Sequence, residues 1–252
     1  MRALLRLTLL SLTVGAAYAL RGRDWISRWG ATDAETVRQL PGDTLVPEPE
    51  LQSTRAVTIA APVERVFPWL VQLGQGRGGF YSYDRLENRI GLDIHSADRV
   101  LPEFQDVEVG DEIAMAPGPP FFGFLVAEVT PPTALVLEMR IHPFTGLQLR
   151  PEAAATGPSV HASWAFALDS VGDGTMRLIA RSRARVQLAP PLGLLYRLAL
   201  EAIEFVMERR MLLGIRERAE RVETSSVAGD LWHMPRSGVQ SAEPVLTAPS
   251  IT

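Results

Sequence analysis

A long helical pattern near the end of the chain constrains the fold more than any other feature. Pro190-Pro191 precedes it, and apolar residues then recur at spacings of three and four from Leu192 to Val222. The stripe consists of Tyr196, Leu200, Ile203, Met207, Met211, Ile215, Ala219 and Val222. Because a continuous apolar stripe has to be buried against a second layer of structure, the residues before it must supply that layer.

Those preceding residues carry the alternation and the turns of an antiparallel sheet. Arg55 to Ile59 alternates with period two and predicts a first strand, which is followed by short helices over residues 62–73 and Tyr83–Ile90. Later strands are predicted at Glu112–Ala116, Phe122–Val129, Ala134–Ile141, Val160–Leu168 and Met176–Val186. The fold class is therefore α+β, with a curved antiparallel sheet of six or seven strands wrapped around the long C-terminal helix.

Composition divides the 252 residues into four segments. Residues 1–23 resemble a signal or a membrane anchor, and residues 24–51 form a Pro-rich, acidic arm that contains Trp25 and Trp29. Residues 52–223 form the folded domain, and residues 224–252 are a tail predicted to be disordered.

The N-terminal segment has the features of a membrane-targeting sequence. Arg2 and Arg6 precede an apolar run from Leu7 to Leu20, and Ala17-Tyr18-Ala19 fits a cleavage site. Basic residues directly after the run oppose its export, which favours an uncleaved anchor. A cleaved signal peptide and a soluble helix remain open. We expect membrane association through residues 4–20 and a membrane-associated or exported protein, with a cytoplasmic location as the alternative.

Composition also excludes several kinds of chemistry. The formal net charge of −4 argues against a nucleic-acid partner. The chain has neither Lys nor Cys, which rules out a Schiff-base lysine, a thiolate nucleophile and disulfides. The four histidines are scattered, at His95, His142, His161 and His233. No metal site and no cofactor are therefore predicted.

A glycine-rich stretch from Gly74 to Gly79 matches the G-x-G-x-x-G pattern of dinucleotide-binding loops. Such a loop has to follow a strand and open a helix, whereas this one follows the helical pattern of residues 62–73. We interpret it as a tight turn in which glycine supplies positive φ angles.

Polar and aromatic groups cluster immediately after these glycines. Tyr81, Tyr83, Asp84, Asn88 and His95 can bind a polar group inside an apolar pocket, or they can tie the short helices to the sheet. The run His95 to Asp98 also suggests a catalytic cluster, but closeness in sequence does not place a nucleophile, a base and an orienting group in space.

Four blocks carry a resemblance to a known superfamily, over roughly residues 52–222: WLVQLGQGRGGFYSYDRLEN, IHSADRVLPEFQDVEVGD, ASWAFAL and FVMERRMLLGIRERAE. They resemble the helix-grip fold of the START and polyketide-cyclase superfamily, SRPBCC, and in particular an uncharacterised bacterial branch. That fold places a cavity between sheet and helix. The candidate cavity residues are Tyr81, Tyr83, Asp84, Asn88, His95, Trp164, Ile203 and Met207.

The resemblance implies binding or transport of a hydrophobic small molecule, lipid or polyketide-like, by a carrier or sensor without catalytic residues. The alternative is a cyclase, dehydratase or hydrolase that uses Tyr and His as an acid–base pair in the same cavity. A third hypothesis is an interaction module whose interior is filled by its own side chains.

Two surface features lead to further expectations. Arg181, Arg183 and Arg185 share one face of a strand and are expected to form a solvated outer surface. The long helix has a second apolar side, formed by Leu194, Leu198, Phe205 and Leu212. We expect the N-terminal arm to cover that side with Trp25 and Trp29, because an ordinary surface helix is apolar on one side only.

Overall fold

The computed structural model describes residues 22–221, and within them six antiparallel strands form one sheet in the order β1-β6-β5-β4-β3-β2. The strands are β1 (Leu51–Ile59), β2 (Glu112–Ala114), β3 (Gly123–Thr130), β4 (Ala134–Ile141), β5 (Ser159–Gly172) and β6 (Thr175–Gln187). The helices are α1 (Arg23–Ser27), α2 (Asp33–Val37), α3 (Val63–Val71), α4 (Asp84–Arg89), α5 (Pro151–Thr156) and α6 (Leu192–Glu220). This is the helix-grip arrangement that the sequence predicts.

The main core lies between the inner face of the sheet and the C-terminal half of α6. Side chains of β5 and β6 alternate between the two faces, so that Phe166 and Leu178 point inward. They meet Met211, Leu212 and Ile215 of α6, each almost fully buried. Helix α3 adds Val66, Phe67 and Leu70 to the same core.

The outer face of the sheet is covered by the arm, and the expectation of a solvated arginine surface was wrong. Arg181 donates to the side chains of Thr54 and Asp43, at 2.9 and 2.8 Å, and to carbonyl groups of the arm. Leu40 packs on Ala56, Ala167 and Ile179 of the sheet. The sequence shows three arginines on one face, but not that a distant segment accepts their hydrogen bonds.

Ion pairs hold the arm in place along β6. Arg177 binds the carboxylate of Glu35 at 2.7 Å, and this hydrogen bond lowers the pKa of Glu35 to about 2. Arg183 pairs with Asp43 at 3.1 Å. Residues 24–51 are therefore docked on the folded domain.

Helix α6 keeps the predicted stripe in its C-terminal half, where Met211 and Ile215 are buried, but not in its N-terminal half. Ile203, which was expected to face the sheet, is 63% exposed, whereas Glu201 and Glu208 are buried.

The second apolar side of α6 is covered by the arm only in part. The rings of Trp25 and Phe205 meet edge-on with centroids 5.3 Å apart, as expected. Leu212 lies in the core instead, and Leu194 and Leu198 are exposed.

The terminal predictions fall mainly outside the described residues. These are the signal or anchor over residues 1–23, of which Gly22 and Arg23 alone are described, and the disordered tail over residues 224–252. Within residues 22–221, no helix is both long enough and apolar enough to cross a bilayer.

Candidate functional site

The glycine-rich stretch is a structural turn, as predicted. It follows α3, and the backbones of Gly74 and Gly79 bond to each other twice, with both N–O distances at 3.0 Å. Both residues have positive φ, 126° and 72°, which glycine adopts without strain. A side chain on Gly79 would overlap the backbone of His95 and Ser96. The turn therefore brings two loop segments together and has no strand before it to form a dinucleotide site.

Several of the predicted cavity residues hold this loop region together. The carboxylate of Asp84 accepts from the backbone N–H and the hydroxyl of Ser96, at 2.7 and 2.6 Å. The side-chain amide of Asn88 bonds the backbone N–H and carbonyl of Ile94, at 2.6 and 2.8 Å. Asp84 and Asn88 thus have a structural role, but they tie α4 to the loop after it and not, as the structural alternative predicted, to the sheet.

Tyr81 and His95 lie in opposite environments. The buried hydroxyl of Tyr81 donates to the carbonyl of Trp69 at 3.1 Å, and burial raises the pKa of Tyr81 well above its ordinary value. The His95 side chain is 79% exposed and contacts Asp93 at 2.9 Å. One group is inside and the other outside, so they do not form the acid–base pair of the enzymatic alternative.

Tyr81, Tyr83 and Asp84 do line one common cleft, of about 580 Å³, but it is open to solvent between α4 and α6. Two of its four arginines already have acidic partners: Arg210 binds Glu217 at 2.8 Å, and Arg218 lies 3.4 Å from Asp98. The cleft is separate from the space between the inner face of the sheet and α6.

Inside the fold, Trp164 is the predicted site residue with the most informative surroundings. Its ring lies on the inner face of β5, with centroids 5.6 Å from Phe124 and 4.9 Å from Phe166. Its indole Nε1 donates to Oε1 of Glu208 at 2.6 Å. Trp164 and Met207 are both partly exposed, whereas Ile203 lies on the outside of α6.

Glu208 belongs to a buried group of polar side chains that we call the interior cluster: Ser53, Arg55, Trp164, Glu204 and Glu208. Nη1 of Arg55 binds both carboxylates, with 3.0 Å to Glu204, and the hydroxyl of Ser53 donates to Glu204 at 2.8 Å. The cluster therefore connects β1, β5 and α6 across the interior.

The centre of the interior cluster is shielded from water, while Trp164 and Glu204 at its edges are partly exposed. Arg55 is 0% exposed and Glu208 2%. Burial raises the pKa of Glu208, and the guanidinium of Arg55 opposes that change. Nη2 of Arg55 is buried and has no hydrogen-bond partner among the described residues. A buried N–H donor without an acceptor is uncommon in native proteins and calls for an explanation.

The position of Arg55 follows from strand alternation. It shares the inner face of β1 with Val57 and Ile59 and lies opposite Ala180 of β6. Helix α1 closes the β1 side, because Nε of Arg55 donates to the carbonyl of Ile26 at 2.9 Å. The small residue at 180 leaves room for the long guanidinium side chain beneath α6.

The sequence analysis missed Arg55, Glu204 and Glu208. A usable signal existed: Arg55 has the same strand parity as Val57 and Ile59, so a charged residue occupies an otherwise apolar inner face. Glu201, Glu204 and Glu208 follow one another at spacings of three and four, which places them on one face of α6. Combining the two would have predicted an ion cluster between strand and helix.

An apolar surface adjoins the interior cluster beneath the N-terminal half of α6. Met139 packs against the main core, as Trp164 does. It also packs against a second, smaller apolar cluster, which Tyr196 and Leu200 contact as well. All four side chains are partly exposed. At the cluster itself, a crevice lined by Ser53, Arg55 and Glu204 measures about 10 Å³. That is the size of one water molecule, so the interior is closed in this structure.

No family model matches this chain, and no curated protein matches its sequence. Several solved structures are similar to part of it. A conserved protein from Geobacillus kaustophilus is 13% identical, with 67% of this chain and 95% of that chain covered and a TM-score of 0.38. The Zhui aromatase/cyclase from Streptomyces sp. R1128 is 14% identical, with 70% and 97% covered and a TM-score of 0.33.

A third neighbour, CalU16 from Micromonospora echinospora, is 16% identical, with 67% of this chain and 83% of that chain covered and a TM-score of 0.28. At these values the function of this chain has to be argued from its own side chains.

Proposed function

We propose that this domain binds a largely apolar small molecule that carries one oxygen acceptor, and that it serves as a carrier or sensor of that molecule. The binding site is the inner face of the sheet beneath the N-terminal half of α6. The observation that carries the proposal is the interior cluster, in which Arg55 is fully buried and Nη2 has no partner among the described residues.

The unpartnered donor specifies the polar end of the ligand. Leaving a buried N–H without an acceptor costs about 1–3 kcal/mol, and a carbonyl, hydroxyl or carboxylate oxygen of a ligand would remove that cost. Glu204 and Glu208 already occupy Nη1, so an additional oxygen has Nη2 available. The two carboxylates make a neutral oxygen a better match than an anion, because a third negative charge would be repelled.

The neighbouring side chains specify the apolar remainder. Trp164 and Met139 present partly exposed apolar surface beside the interior cluster, and Leu200 and Tyr196 continue it towards the start of α6. A ligand with its oxygen at Arg55 would bury its carbon skeleton on this surface, which supplies most of the binding free energy.

The N-terminal half of α6 provides the entrance. Tyr196 and Leu200 pack there on small satellite groups of the sheet, whereas Met211, Leu212 and Ile215 anchor the other half in the main core. Segments with few buried apolar contacts open at a lower free-energy cost. Displacement of this half opens the interior next to Trp164 and Arg55.

Ligand retention and titration test the proposal. Native mass spectrometry of the purified protein is expected to show an apolar compound. Indole fluorescence is expected to change on titration with a fatty alcohol, a fatty acid or a hydroxyanthraquinone, with the fatty alcohol favoured over the acid. Trp164→Phe should remove most of the fluorescence response, since the indole of Trp164 belongs to the interior cluster and bonds Glu208.

Arg55→Met should weaken binding roughly tenfold, the loss expected for one buried hydrogen bond. Arg185→Met is the matched control, because this arginine lies on the outer face and is half-exposed. If no compound co-purifies and none of the three probes binds, the proposal is wrong. If binding occurs with equal affinity in the Arg55 variant, the interior cluster is not the polar site.

A further inference from the structure

The N-terminal half of α6 presents an apolar stripe to the outside. Leu192, Leu195, Ala199, Ala202 and Val206 follow one another at spacings of three and four, Ile203 lies beside them, and all six are exposed. We call this stripe the α6 apolar face. A helix of a globular protein normally turns such a stripe inward, so the exposed stripe marks a contact with a partner.

The start of the described chain contacts the same half of α6, on the side that carries Glu201 and Phe205. Arg23 binds the buried carboxylate of Glu201 at 2.9 Å, and Trp25 contacts Phe205. The apolar run Leu7–Leu20 ends three residues before Arg23, a separation of at most about 11 Å along the chain. The chain length between them therefore keeps the end of the apolar run close to the N-terminal half of α6.

We propose that the α6 apolar face docks on an anionic lipid bilayer together with the apolar run. The run has 14 residues, short of the roughly 20 needed to cross a bilayer, so it needs a second element for stable attachment. The α6 apolar face supplies that element. This proposal is independent of the ligand proposed above.

The charges beside the run identify the type of bilayer. Arg2, Arg6, Arg21 and Arg23 flank it, and residues 1–23 contain no Asp or Glu. Each arginine near the surface of an anionic membrane adds to the attraction. A second copy of this chain would cover the α6 apolar face but would not account for a basic, apolar segment that ends close to the same half of α6.

Flotation of the full chain with lipid vesicles tests the proposal. The two vesicle types are phosphatidylcholine alone and phosphatidylcholine with about 30% phosphatidylglycerol, which carries the negative charge. We expect the wild type to float with the anionic vesicles and to stay behind with the neutral ones. The double variant Leu195→Glu/Ile203→Glu is expected to lower the partition coefficient at least tenfold, because two side chains that would be buried in the interface become charged.

Ile90→Glu is the matched control, since Ile90 lies directly after α4 and is 74% exposed. It should float like the wild type, and thermal melting should show that all variants are folded. Three results would overturn the proposal: no flotation of the wild type, equal flotation of the double variant, or a wild-type dimer that the double variant dissociates without any vesicle binding. Probe titration in vesicle-free buffer should be the same for all variants, which separates this result from a failure of ligand binding.

Discussion

The two halves of α6 use the same kinds of residue in opposite ways. In the C-terminal half, Met211 and Ile215 are buried in the core and Glu217 is exposed. In the N-terminal half, Glu201 is buried and Ile203 is exposed. The C-terminal half therefore packs into the core. The N-terminal half turns carboxylates towards the interior and leaves apolar side chains exposed.

The largest effect on stability is expected where the two halves join, at the ion pair of Arg55 with Glu208. Arg55→Met leaves a buried carboxylate without its cation and should lower the free energy of unfolding by about 3–5 kcal/mol in urea titrations. Arg55→Met/Glu208→Leu removes both charges and should recover most of that loss, because an apolar pair replaces a buried ion pair at little cost. Equal losses in the single and double variants would contradict this account.

The same variant has a defined pH dependence. Burial raises the pKa of Glu208 from an ordinary value of 4.5, and loss of Arg55 removes the charge that opposes the rise. A carboxyl whose pKa is raised in the folded state stabilises the fold below pH 4.5, and this stability is lost as the pH rises through the folded-state pKa. Arg55→Met should therefore lose more stability relative to the wild type at pH 8 than at pH 5.

A smaller effect is expected in the C-terminal half, at Gly214. A Cβ at this position would overlap the carbonyl oxygen of Tyr81, where α6 approaches the glycine-rich turn. Although alanine is the better helix former by about 1 kcal/mol, Gly214→Ala should lower the free energy of unfolding by about 1–3 kcal/mol. A gain in stability on thermal or urea unfolding would show that the two backbones are less closely packed.

The smallest effect is expected in the N-terminal half, at Ile203. Because its side chain is exposed, Ile203→Ala should change the free energy of unfolding by no more than about 0.5 kcal/mol. Leu212→Ala, a residue buried in the core of the other half, is the comparison and should cost about 2–5 kcal/mol. Similar losses for both would mean that the N-terminal half is packed as tightly as the C-terminal half.

The strands and the bounds of α6 could be predicted because they depend on local periodicity. The helix was predicted over Leu192–Val222 and extends over Leu192–Glu220. The side that its N-terminal half turns inward could not be predicted in the same way, because periodicity alone rests on the assumption that carboxylates face water. Arg55 makes that assumption fail for Glu208, and the pairing of a strand residue with one 153 positions later leaves no local signal.

The residues of the candidate site also differ in how well the sequence predicted their roles. Trp164 was recognised because an aromatic side chain on an inner strand face follows from alternation. Asp84 and Asn88 were also noticed for their polar groups, but their hydrogen bonds go to the backbone of a nearby loop. The types of these residues suggest a ligand, and only the positions of their partners distinguish a ligand site from a structural role.

The arm also blocks the edge of the sheet at which copies of this chain could pair. β1 is an edge strand, and the N–H of Ala56 on its free side donates to the carbonyl of Trp29 at 3.2 Å. A polypeptide cut at residue 52, where the folded domain is predicted to begin, would leave this edge free and Arg181 without its acceptors in the arm. Bare edges of this kind template pairing between molecules. Such a shortened polypeptide should precipitate as sheet-rich aggregates, while one that begins at residue 22 retains its own blocking segment.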